Sequence, residues 1–175
     1  MMLDLLTKSD AVISDCGKYR YRLSRTWGDE KPAVFVMLNP STADASEDDP
    51  TIRRCIGFAQ KWGCGGLVVV NLFAYRATSP KDMISATNPV GTNNSLWVLK
   101  AAQHAQFVVC AWGANGTHQN QDAKIIECLR RCFKTHIYCL GTTKGGQPKH
   151  PLYLSANTEL QPYPSDSAPN RKDPE

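Results

Sequence analysis

No apolar run in this 175-residue chain approaches the roughly 18 residues that a membrane-spanning helix needs. No transmembrane helix is therefore expected. No Cys-x-x-Cys pair occurs among the seven cysteines, which removes the commonest spacing of zinc and dithiol sites. Their odd number, with Cys110 and Cys139 inside apolar runs, suits a reduced cytosolic protein with buried thiols. Cys128 and Cys132 lie one helical turn apart and read as ordinary helix positions, so no metal is expected. A Walker phosphate loop, a G-x-S-x-G elbow and EF-hand spacing are missing as well. No cofactor is expected. The early Asp4 and the lack of a basic leader argue against a secretory signal, and the expected location is the cytoplasm. Neither sign of charge dominates. Twenty Lys and Arg against sixteen Asp and Glu give a formal net charge of +4, too mild to assign a nucleic-acid partner alone.

What the chain has is a rhythm of short apolar runs separated by helical patterns. Residues 11–25 read as a hairpin, with Asp15-Cys16-Gly17-Lys18 at the turn. Tyr19, Tyr21 and Leu23 alternate there with Arg20, Arg22 and Ser24, the period of a half-exposed strand. Residues 33–38, 67–70, 107–111 and 136–140 are continuous apolar runs, the pattern of strands buried on both faces. Asp49-Pro50 opens a helix as N-cap and first helical residue. Ile52, Cys55, Ile56, Ala59 and Trp62 give it one apolar face, and Gly63 ends it. Ser79-Pro80 opens a short helix. Asn93 or Asn94 caps another, and residues 119–133 form a further one. The expected fold is α/β: a three-layer α/β/α sandwich around a central four-stranded, mainly parallel sheet, preceded by the N-terminal hairpin. Residues 1–160 form the domain and 161–175 a polar, disordered tail.

In a parallel sheet the strand ends share one edge, and ligands bind in the crevice there. Asn39, Ser41 and Thr42 leave the first strand at that edge. Asn71 ends the second and Trp112 the third, with Asn115 close behind. The loop after the fourth strand carries His150. Two amides, an imidazole and an indole suit a planar ligand that hydrogen-bonds along its edge and stacks on its face. Phe73 is a second stacking candidate. Each residue also has a structural alternative: an Asx-turn before Pro40 for Asn39, local backbone bonding for Asn71, core packing for Trp112, and an exposed loop position for His150. Their convergence at one edge favours a site.

These residues resemble the uracil-DNA glycosylase superfamily over about residues 33–155. Leu38-Asn39-Pro40-Ser41 is similar to the first motif of the mismatch-specific branch. Val69-Val70-Asn71 and Cys110-Ala111-Trp112-Gly113 are similar to strand ends of the uracil-specific branch. His150-Pro151-Leu152-Tyr153-Leu154-Ser155 resembles the motif that closes the site. The wording also resembles a bacterial domain-of-unknown-function family, number 1643, in Leu38-Asn39-Pro40-Ser41-Thr42-Ala43-Asp44, Asp49-Pro50-Thr51-Ile52-Arg53-Arg54-Cys55 and Asn71-Leu72-Phe73-Ala74-Tyr75-Arg76.

The glycosylase resemblance implies hydrolysis of an N-glycosidic bond in nucleic acid, DNA above all, after the target base is flipped into the pocket. It implies Asn39 and His150 as the catalytic pair. Asn39 positions water and His150 donates to the departing base. Asn71 holds the base edge, and Tyr153 or a neighbour wedges into the vacated stack. The chain departs from that pattern where Asn39 and Ser41 replace an Asp and a bulky Tyr, so a modified, mismatched or deaminated base all fit. Asp44, Arg53, Arg54 and Arg76 have no counterpart in those motifs. They suit a charged ligand, which leaves two alternatives: an enzyme of free nucleotides or nucleosides, or a non-catalytic binding module.

Overall fold

The computed structural model describes residues 7–41, 45–133 and 137–164. The hairpin forms as expected, from β1 (Lys8–Ile13) and β2 (Arg20–Thr26), with Gly17 at φ +73° in its turn. All five residues of β3 (Ala33–Met37) are buried. In α1 (Pro50–Lys61) the Asp49 side chain accepts from the Ile52 N–H at 2.8 Å and Pro50 takes the first helical position. β4 (Gly66–Asn71) follows, then α2 (Pro80–Ser85) behind its Ser79 cap, α3 (Asn94–Gln103) and β5 (Phe107–Cys110). Tight helical turns over Ala114–Asn120 lead into α4 (Gln121–Cys132), β6 (Ile137–Cys139), a single turn at Pro151–Tyr153 and β7 (Gln161–Pro162).

The architecture is mixed α/β, and its sheet has seven strands in the order β1-β2-β4-β3-β5-β6-β7. The strands β4, β3, β5 and β6 run parallel. The expectation of a four-stranded sheet is corrected at both edges. The hairpin continues the sheet, because β2 pairs antiparallel with β4 through Leu23–Thr26. β7 pairs antiparallel with β6 at the other side. Each added strand covers backbone groups that would otherwise stand open at an edge. The stretch expected as a tail thus begins inside the sheet, while residues 165–175 and the segment 134–136 lie outside the described residues.

Helices pack on both faces of this sheet. Leu23, Phe35, Met37, Val69 and Val109 meet Ile52, Cys55, Phe58 and Ala59 of α1 on one face. Val34, Val36, Val70 and Val108 meet Met83, Val98, Ala102, Ile125 and Leu129 of α2, α3 and α4 on the other. The strand period of two divides β3 between the two cores. Asn93 stands at the start of α3 but makes no side-chain cap bond. Its neighbour Asn94 is buried, and its Nδ2 donates to the carbonyls of Asn71 and Leu72 at 2.8 and 3.1 Å. What read as a cap is a clamp on the end of β4.

The hairpin register shifts once. Along the hairpin Val12 faces Arg22, but Ile13 faces Arg20, so Tyr21 is an extra residue in β2. A bulge of this kind inverts side-chain alternation beyond it and re-aims a side chain. Arg20 is turned inward and is 2% exposed.

Candidate functional site

The β3–α1, β4–α2 and β5–α4 connections all leave the carboxyl ends of parallel strands. A cavity of about 310 Å³ opens there, lined by Asn39, Ser41, Asn71, Trp112, Asn115 and His150 among others. Six of the residues expected at this edge, Asn39, Ser41, Asn71, Trp112, Asn115 and His150, are therefore brought together. The cavity also takes Arg20, Asp49, Thr51 and Thr78, which strand direction alone does not place there.

Asn39 is half-buried, and its Nδ2 donates to the Ala77 carbonyl at 2.9 Å and to the Pro40 carbonyl at 3.2 Å. The local turn contact anticipated with Pro40 is present. Because both amide hydrogens are used on backbone, Oδ1 is the atom left for a ligand or water. Asn71 is 1% exposed, and its buried Nδ2 has no hydrogen-bond partner. An unmatched buried donor costs about 1–3 kcal/mol. Here it stands at a cavity wall, with the Asn94 clamp behind it.

Asp49 has two duties in the fold. Oδ1 caps α1, and Oδ2 accepts from Ser41 Oγ at 2.6 Å. In the sequence Asp49 stands out as a cap alone. A signal for its second position was available: a helix that follows a parallel strand starts at the sheet's carboxyl edge, so its cap faces the crevice. Arg20 carried no such signal, since regular alternation points it the other way. Its neighbour Arg22 pairs with Asp10 within the hairpin. Of these two hairpin arginines, Arg20 thus lines the cavity and Arg22 is held in an ion pair.

Trp112 is 2% exposed and held on several sides. Its Nε1 donates to Gln147 Oε1 at 2.8 Å, and Gln147 Nε2 donates to Asp122 Oδ2 at 3.2 Å. Tyr163 meets the ring edge-on at 5.8 Å. A Cβ on Gly116 would fall 2.2 Å from the indole, which explains why glycine stands there. The indole is a fixed wall of the cavity packed into the core.

His150 is half-buried, and its Nδ1 accepts from the Leu152 N–H at 3.3 Å. That bond selects the neutral tautomer with its proton on Nε2. Burial pushes the imidazole below its usual 6.5, and the Asp49 charge partly opposes this. The folded state therefore prefers neutral His150. Its contribution to stability is complete above about pH 6.5 and is lost as pH falls toward the lower folded value. An NMR titration of the His150 ring should show a midpoint below 6.5, moving lower still in Asp49→Asn. A midpoint above 6.5 would contradict this assignment.

Four expected site residues lie elsewhere. Phe73 is fully buried in the core against His118. Arg53 is exposed, with Nη1 on the Asp48 carbonyl. Arg76 turns to the hairpin, with Nη1 on the Gly17 carbonyl at 3.1 Å. Tyr153 is 89% exposed, two residues beyond Pro151. None of these four side chains lines the cavity. Thr42 and Asp44 lie outside the described residues.

A family model described as "Protein of unknown function (DUF1643)" matches residues 20–152. No curated protein matches the chain. Among the described residues no helix is long and apolar enough to cross a membrane.

Proposed function

We propose a nucleobase-processing function on this premise: the chain belongs to the DUF1643 family, described as proteins of unknown function. The cavity binds a base from nucleic acid and hydrolyses its N-glycosidic bond, within a glycosylase-like α/β/α arrangement. The observation that carries this reading is Asn71. Its buried, unpartnered Nδ2 at the cavity wall calls for a ligand acceptor, and a base carbonyl supplies one.

The chemistry follows from which atoms remain for the ligand. The bond between the sugar carbon and the base nitrogen breaks, and its electron pair leaves with the base. Neutral His150 donates from Nε2 to the charge that grows on that base. A positioned donor of this kind contributes about 2.7–4 kcal/mol in the transition state. Asn39 Oδ1 orients a water whose oxygen joins the sugar carbon, and the water's proton passes to solvent. A neutral amide is a poor base, so departure of the base leads and attack follows. Tyr153, 89% exposed beside this loop, is available as the wedge that fills the vacated stack.

The buried cation Arg20 in the cavity favours a second reading, an enzyme of free nucleotides or nucleosides. Oligonucleotides bearing uracil, mismatches and modified bases should yield abasic sites that alkali cleaves. Asn39→Ala should slow that reaction about 10²-fold by releasing the water from its position. An unchanged rate refutes the role given to Asn39. Base release from free nucleosides alone favours the second reading, and binding without either reaction favours a non-catalytic module.

A further inference from the structure

We propose that Asp49 is a catalytic residue of the cavity: its carboxylate takes the proton of the attacking water and faces the positive charge that grows on the sugar. The inference rests on reading the cavity as a site of N-glycosidic hydrolysis and adds the base for that reaction. The water that joins the sugar carbon must lose a proton, and a positioned acceptor speeds that loss. Few groups at the cavity can accept it. Asn39, Asn71 and Asn115 are neutral amides, which are poor bases. The lining hydroxyls of Thr51 and Thr78 are no better. His150 has no ring lone pair left: Nδ1 accepts from the Leu152 N–H, so Nε2 carries the proton. Among the described residues that line the cavity, Asp49 is the one carboxylate.

Its place suits the task. Asn39 leaves the carboxyl end of β3, and Asp49 caps α1 at the far end of the same connection. A hydrogen bond closes that connection: Ser41, two residues beyond Asn39, donates to Asp49 Oδ2 at 2.6 Å. Oδ1 takes the Ile52 N–H at 2.8 Å. Each oxygen keeps a second lone-pair direction for a water, and the two contacts fix the carboxylate before substrate arrives. The Asp49 charge reaches the His150 ring, so water acceptor and base donor share one cavity. Capping alone requires no charge, because Asn and Ser cap about as well as Asp. In the reaction the bond from sugar carbon to base nitrogen breaks, and its electron pair leaves with the base. The water oxygen joins the sugar carbon, and the water's proton moves to Asp49 before it reaches solvent.

Single-turnover base release by the full chain tests this, with the oligonucleotides and nucleosides named above as substrates. Asp49→Asn keeps a good N-cap and should slow release about 10²–10⁴-fold while the protein stays folded by thermal melting. Sodium azide is an anionic nucleophile with no proton to lose. It should speed Asp49→Asn about tenfold or more and leave a sugar azide, seen by mass spectrometry, in place of the hydrolysed sugar. His150→Ala should gain nothing from azide, because its defect lies at the departing base. A rate in Asp49→Asn within about threefold of the unaltered protein, a folded variant that azide leaves slow, or an equal azide gain in His150→Ala overturns the inference and leaves the hydrolytic reading standing. Should Asp49→Asn fail to fold, Asp49→Ser, also a strong N-cap, is judged by the same outcomes. No base release by the unaltered protein overturns both.

Discussion

His150→Ala is expected to slow base release about 10²–10³-fold, the loss that follows removal of one preorganised donor. The reason is geometric. The Leu152 N–H occupies Nδ1, so the Nε2 proton is held in one place before the substrate arrives. No reorganisation is needed when charge develops on the leaving base. Burial keeps the ring neutral, so the donor is an imidazole and not an imidazolium, which would carry its own desolvation cost. Single-turnover release from an oligonucleotide measures the effect, with thermal melting as the control for folding. His150→Gln should recover part of the rate, because its amide supplies an N–H from a similar stem. A rate within twofold of the unaltered protein in His150→Ala would remove His150 from the chemistry.

The second large effect concerns stability. Gln147→Leu should destabilise the fold by about 2–4 kcal/mol, lowering the melting temperature by roughly 5–15 °C for a domain of this size. Gln147 is 4% exposed and links two buried groups, the Trp112 N–H and the Asp122 carboxylate. Leucine fills similar space but leaves the indole donor unmatched and removes an amide donor from the carboxylate. Both losses fall in a dry interior where neither group regains water. Trp112 walls the cavity, so its fluorescence should change with the substitution. A melting temperature within 2 °C of the unaltered protein would show that this network contributes little.

Much of the site was legible because strand direction and chain order are local properties. Continuous apolar runs alternating with helical patterns imply parallel pairing, and parallel pairing gathers strand ends at one edge. By that rule Asn39, Ser41, Asn71, Trp112 and His150 fall at one edge, where they line the cavity. Phe73, Arg53, Arg76 and Tyr153 show where it stops. A residue near the right edge still points wherever its own φ and ψ send it, and one step along a strand or helix exchanges crevice for core or solvent. Asp49 was seen with half its duties, since a capping reading explained the residue and hid its position.

The sequence by itself determined the element order as far as β6, the buried strands, the caps at Asp49 and Ser79, and the edge at which polar groups collect. These follow from hydrophobic period and from backbone hydrogen bonds satisfied within a few residues. Only the tertiary structure decided that the hairpin joins the sheet, that Asn94 clamps the end of β4, and that Arg20 enters the cavity. Each depends on which distant backbone groups meet. The bulge at Tyr21 is set by pairing between strands, so no reading of one strand alone predicts that it turns a surface-patterned arginine into a buried residue lining the cavity.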